Sequence, residues 1–135
     1  MKSTLRLFFA AFVLFVSGAS AAEETLPLAD AIAAALVDAG VQVATHVPAT
    51  GAVEVFDAFC ALSSRPKIYS YTEEAAYTIA HGAAIGGARA AAILKSHGFA
   101  KAANSIVDSL VAGHTAGFVV LVFDDPTGAH SDTVL

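Results

Sequence analysis

The sequence predicts an α/β domain in which a parallel sheet carries helices on both faces. Two observations lead there. From Thr25 onward, stretches with apolar residues at helical spacing alternate with short β-branched or continuously apolar runs. The connections between them are brief, and such alternation places the strands side by side, parallel and covered on both faces. At 135 residues there is room for one domain.

Leu28 to Ala39 reads as the first helix, with Leu28, Ile32, Ala35 and Leu36 on one face and Gly40 as its stop. Val41 to Val47 is short, β-branched and bounded by glycine and proline, hence a strand. Pro48-Ala49-Thr50-Gly51 turns the chain into a second helix, Val53 to Leu62, and Lys67 to Tyr71 forms a short strand. Thr72 can cap the next helix, whose first turn holds Glu73 and Glu74, where negative charge suits the helix dipole. That helix reaches Ala84, and Gly86-Gly87 weakens its end. A third strand covers Ala90 to Leu94. A fourth helix, Phe99 to Val111, is expected to turn Ala103, Ile106, Val107 and Leu110 toward the core. Gly117 to Phe123 is a continuous apolar strand that Asp124-Asp125-Pro126 ends, since proline cannot continue a ladder.

Composition narrows the function. Hydrophobic residues make up 56% and charged residues 14%, so polar surface is scarcer than core. The net charge is −5 without a basic patch, so nucleic acid is not an expected partner. The single cysteine, Cys60, excludes an internal disulfide and a cysteine-based metal cluster, and its apolar surroundings suggest a buried thiol. His46, His81, His97, His114 and His130 lack close ligand spacing, so no protein-bound metal is expected. Gly86-Gly87 lacks the Gly-x-Gly-x-x-Gly arrangement of a dinucleotide site.

The first 22 residues have the three parts of a secretory signal peptide. Lys2 and Arg6 give a positive start, Leu7 to Val16 an apolar run, and Ala19-Ser20-Ala21 the small residues for cleavage. The run is shorter than the ~20 residues that span a bilayer, so no permanent membrane anchor is expected. The expectation is a leader over 1–22, an exported or periplasmic domain over 23–135, and a buried first helix as the alternative reading of the leader.

In open parallel sheets, ligands bind beyond the carboxyl ends of the strands. That rule selects Pro48 to Gly51, Thr72 to Glu74, Lys95 to Phe99 and Asp124 to His130, where the unusual polar residues also fall. Glu73 opens a helix that is otherwise almost uncharged, and a carboxylate there is suited to exchanging a proton with a ligand nitrogen. Its alternative is an ordinary first-turn residue like Glu74. Lys95, Ser96 and His97 offer a cation, a hydroxyl and an imidazole to a substrate carboxylate, or they form a strand-end turn that Gly98 bends.

Four motifs carry a resemblance. Glu73 followed by Ala75, Ala76 and, nine residues on, Gly82 resembles the pyrimidine-binding domain of thiamine diphosphate enzymes. Lys95-Ser96-His97-Gly98-Phe99-Ala100-Lys101-Ala102-Ala103-Asn104 is similar to a stretch of indolepyruvate and related 2-oxoacid ferredoxin oxidoreductases, with His97 one place later than the histidine found there. Asp124-Asp125-Pro126 with Gly128, His130 and Ser131 resembles their Asp-Asp-Pro-Gly-x-His-Ser segment. His46-Val47-Pro48-Ala49-Thr50-Gly51 looks like the first loop of sulfopyruvate and phosphonopyruvate decarboxylase alpha chains.

The resemblance implies a thiamine diphosphate-binding fold and a subunit of a 2-oxoacid decarboxylase or oxidoreductase. It implies that Glu73, rather than Glu74, bonds N1′ of the aminopyrimidine as the catalytic proton relay. Pro48, Gly98 and Phe99 would join Glu73 around the cofactor, and Lys95, Ser96 and His97 would meet a small 2-oxoacid. The Gly-Asp-Gly signature that holds diphosphate through Mg²⁺ does not occur in the sequence. A diphosphate-binding domain or subunit is therefore the expected partner, and a homo- or hetero-oligomer the expected form. The resemblance also implies a cytoplasmic setting, against the leader. The stop at Leu135 suits a small subunit or a domain shortened at its C-terminus, and a remnant without function is a further alternative. An exported noncatalytic module that binds a ligand or a partner is the alternative in a different class.

Overall fold

The computed structural model describes residues 27–124. The leader sequence and Asp125, Pro126, Gly128, His130 and Ser131 lie outside the described residues. The elements run α1 (Leu28–Asp38), β1 (Val43–His46), α2 (Ala52–Ser63), β2 (Ile68–Tyr69), α3 (Glu73–Ile85), β3 (Ala90–Lys95), α4 (Ser96–Lys101), α5 (Ala103–Ala112) and β4 (Phe118–Phe123). The four strands form one sheet in the order β2-β1-β3-β4, with every neighbour parallel.

Two cores cover the two faces of that sheet. On one, Ala33 and Leu36 of α1 and Val55, Phe56, Phe59 and Cys60 of α2 pack on Ala44, Ala91 and Ile93. Burying a phenylalanine such as Phe56 or Phe59 contributes about 1.5–3 kcal/mol. On the other, Tyr77, Ala80 and Ala84 of α3 pack with Ala102 on Ala90 and Ala92. The helices thus lie on both faces, as the alternation predicts. In β3 the run Ala90-Ala91-Ala92-Ile93-Leu94 is fully buried, and its alanines let helices approach closely from both sides.

Several local expectations hold. Gly40 ends α1 with a positive φ of 72°, and Thr72 caps α3 by accepting a hydrogen bond from the Ala75 amide. Cys60 is a buried free thiol.

The region after β3 departs from expectation. One helix over Phe99 to Val111 is in fact two, α4 and α5, meeting at the buried Ala102. The chain enters α4 directly from Lys95, so Gly98 is a helical residue and not a strand-end bend. Within α5, Ile106 packs against the core, but Val107 is 60% exposed and Leu110 80% exposed. No residue of α5 is buried, and Val107, Leu110 and Val111 lie exposed along it. Leu28, expected in the core, is exposed at the start of α1. Among the described residues, no helix is long and apolar enough to cross a membrane.

Candidate functional site

The chain passes from β1 outward to β2, then returns across β1 to β3 on the opposite side. The connections therefore diverge at the carboxyl ends of β1 and β3, the position at which open sheets of this kind hold their ligands. Three of the segments selected from the sequence meet this edge. Pro48 follows β1 in an exposed loop, Glu73 opens α3 after β2, and Lys95 closes β3 directly ahead of Ser96, His97, Gly98 and Phe99 in α4.

Glu73 is held from three directions. Thr72 fixes the first turn of α3 by its cap. Thr45 of β1, fully buried, donates to the Ala76 carbonyl at 2.6 Å and ties that turn to the sheet. The Glu73 side chain then lies over Gly98: a Cβ built there would stand 2.6 Å from its Cγ and 3.1 Å from its Oε1. Two motifs separate in sequence thus meet at one contact. The Glu73 side chain is 17% exposed, and Lys101 of α4 brings Nζ to 3.8 Å from its Oε2. Glu74, its neighbour, is exposed.

Buried polar groups mark the same edge. Ser96 is fully buried, and its Oγ makes no hydrogen bond. His46, the last residue of β1, is also fully buried, and its ring has no well-aligned hydrogen bond beyond a weak contact with the Ile93 backbone. An unsatisfied buried polar group costs about 1–3 kcal/mol. Burial, the largest influence, pushes the His46 imidazole below its ordinary pKa, while the Ile93 backbone and the carboxylates of Asp57 and Glu54 pull the other way. The ring stacks on Phe56, centroids 4.9 Å apart, and meets Tyr69 edge-on at 6.1 Å. The sequence reading assigns His46 no role of its own. A signal was present, because strand alternation places it on the same face as Ala44, inside the core.

No protein-family model matches the chain. It is 34% identical over 100 residues to indolepyruvate oxidoreductase subunit IorA of Thermococcus kodakarensis, covering 72% of this chain and 16% of that subunit. The same subunit of Methanothermobacter thermautotrophicus is 32% identical over 101 residues, covering 73% and 16%. That of Archaeoglobus fulgidus is 34% identical over 106 residues, covering 73% and 17%. These relatives are subunits of a 2-oxoacid oxidoreductase. The resemblance to 2-oxoacid ferredoxin oxidoreductases therefore holds. The fold matches a chain of 2-oxoglutarate:ferredoxin oxidoreductase from Magnetococcus marinus with a TM-score of 0.62 at 17% identity, over 73% of this chain and 18% of that one. The chain spans about a sixth of the length of the curated relatives it matches.

Proposed function

We propose that this chain is a pyrimidine-binding subunit of a thiamine diphosphate-dependent 2-oxoacid oxidoreductase or decarboxylase, completed by a diphosphate-binding domain or subunit. The observation that carries the reading is the seating of Glu73 over Gly98 at the divergence of β1 and β3. The residues present suit the pyrimidine end of the cofactor: a largely enclosed carboxylate, a buried hydroxyl without a partner and a glycine that leaves room beside them. When bound, thiamine diphosphate supplies a nucleophilic carbon that attacks the carbonyl of a 2-oxoacid.

The chain's own part is orientation and proton logistics. Glu73 holds and returns the proton at N1′ of the pyrimidine, and its partial burial keeps water from competing for that bond. Ser96, buried at the start of α4, offers its free hydroxyl to the ligand. Pro48, Gly98 and Phe99 shape the cofactor's surroundings, while Lys95 and His97 at the same edge stand where a substrate carboxylate would enter. Mg²⁺ and the diphosphate belong to the partner. The exposed apolar face of α5, with Val107, Leu110 and Val111, supports assembly with another subunit.

The test is binding of thiamine diphosphate with Mg²⁺ to the chain alone and to the chain mixed with a diphosphate-domain subunit encoded beside it. Binding in the mixture supports the reading; no binding in either case rejects it. The leader pattern favours a second reading, an exported noncatalytic module. A periplasmic mature chain beginning near Ala22, together with failure of the mixture to bind, would establish that alternative.

A further inference from the structure

Glu73 meets α4 at both of its carboxylate oxygens. A Cβ at Gly98 would stand 3.1 Å from Oε1, and Nζ of Lys101 lies 3.8 Å from Oε2. Gly98 and Lys101 are three residues apart, so they share one face of α4 and cradle the carboxylate together. We propose that Lys101 is a positioning residue for Glu73, its ammonium holding one carboxylate oxygen and so setting which oxygen meets a heteroaromatic nitrogen of the ligand. This rests on the function proposed above and extends it to a residue to which the resemblance gives no role.

The last torsion of a glutamate side chain is broad, so its own rotamer does not fix the carboxylate plane. An outside partner must do so. The Glu73 side chain is 17% exposed and stands on a turn that Thr72 caps and Thr45 ties to the sheet, whereas the Lys101 side chain is 55% exposed. The carboxylate is thus the placed group, and the lysine reaches it from the more open side. Their separation is longer than a direct hydrogen bond between ammonium and carboxylate, so the contact is one of charge. An ionised carboxylate has about four lone-pair sites, which lets Glu73 take up a ligand nitrogen while Lys101 stays beside Oε2. Lys101 also lies in the last turn of α4, where a cation suits the helix dipole. That second role does not depend on Glu73, so the two can be separated.

The experiment titrates thiamine diphosphate with Mg²⁺, by calorimetry, into the full chain mixed with the diphosphate-domain subunit. Parallel titrations use Lys101→Met, Lys101→Arg, Glu73→Gln and the double variant of Lys101→Met with Glu73→Gln. Lys101→Met is expected to bind about fivefold more weakly or worse, and Lys101→Arg to recover most of the loss. Its melting temperature stays near the original, as for other substitutions at exposed positions. With Glu73→Gln already present, Lys101→Met weakens binding no further, because the charge it acts on is gone. A Lys101→Met chain that binds as tightly as the original, or more tightly, overturns the proposal. So does an equal loss with and without Glu73→Gln, which would assign Lys101 to the helix alone or to the ligand directly. If Glu73→Gln weakens binding and Lys101→Met does not, the proposed function stands and the role of Lys101 falls. If the unaltered mixture takes up no thiamine diphosphate, both fall.

Discussion

Gly98 lacks a side chain where Glu73 needs the space: a Cβ at position 98 would come within 2.6 Å of the Glu73 Cγ. One residue opens α3, the other lies inside α4, and 25 positions separate them in the sequence. Gly98→Ala must therefore displace the carboxylate, while alanine favours the helix by up to about 1 kcal/mol over glycine. The expected outcome is a melting temperature changed little, with thiamine diphosphate binding in the assembled complex at least about tenfold weaker. Unchanged binding would show that the seating of Glu73 is not what the site needs.

The anchor beneath Glu73 is the hydroxyl of Thr45. Thr45→Val keeps the shape and removes the 2.6 Å bond to the Ala76 carbonyl. The loss is expected to be about 0.5–1.5 kcal/mol of unfolding free energy, read from denaturant melts. Thr72→Ala, which removes the α3 cap, should cost about 1 kcal/mol by the same measurement.

His46 gives the fold a dependence on pH. Its imidazole is held below its ordinary pKa in the folded chain, chiefly by burial. In the unfolded chain the group takes up a proton as pH falls through about 6.5, while in the folded chain it does so only at lower pH. The unfolded state then binds more protons, so stability declines as pH drops below about 6.5, by at most about 1.4 kcal/mol per pH unit for this group. Melts of the unaltered chain and of His46→Leu between about pH 7 and pH 5 should show a shallower decline in the variant. Equal slopes would assign the decline to other groups.

The fold was legible because each strand is bounded by a breaker and each helix on the sheet carries a clear apolar face. The alanines of β3, Gly40 and the Thr72 cap could all be placed from local pattern alone. The split between α4 and α5 could not. Ser96 to Ala112 carries no proline and no unambiguous stop, and the break falls at Ala102, which is buried in the second core. Val107 and Leu110 have a spacing that suits a core face, but α5 packs on α3 and α4 and leaves both exposed. At the site, Glu73, Ser96 and Gly98 were each singled out, yet their spatial relation was not readable. Spacing within a motif says nothing about contact between two motifs. His46 has no ligand spacing in the sequence, and its burial against Phe56 is visible only in the packing around it.

The most direct measurement compares Glu73→Gln with Glu74→Gln in the complex assembled with the proposed diphosphate-binding partner, following 2-oxoacid turnover. The two positions are adjacent, but Glu73 is the one seated over Gly98, and Glu74 is exposed. The account predicts that Glu73→Gln lowers kcat by about 10²–10⁴, the range for loss of a proton relay, and that Glu74→Gln leaves it near the original. Full turnover with Glu73→Gln would contradict the claim that this carboxylate works on the cofactor.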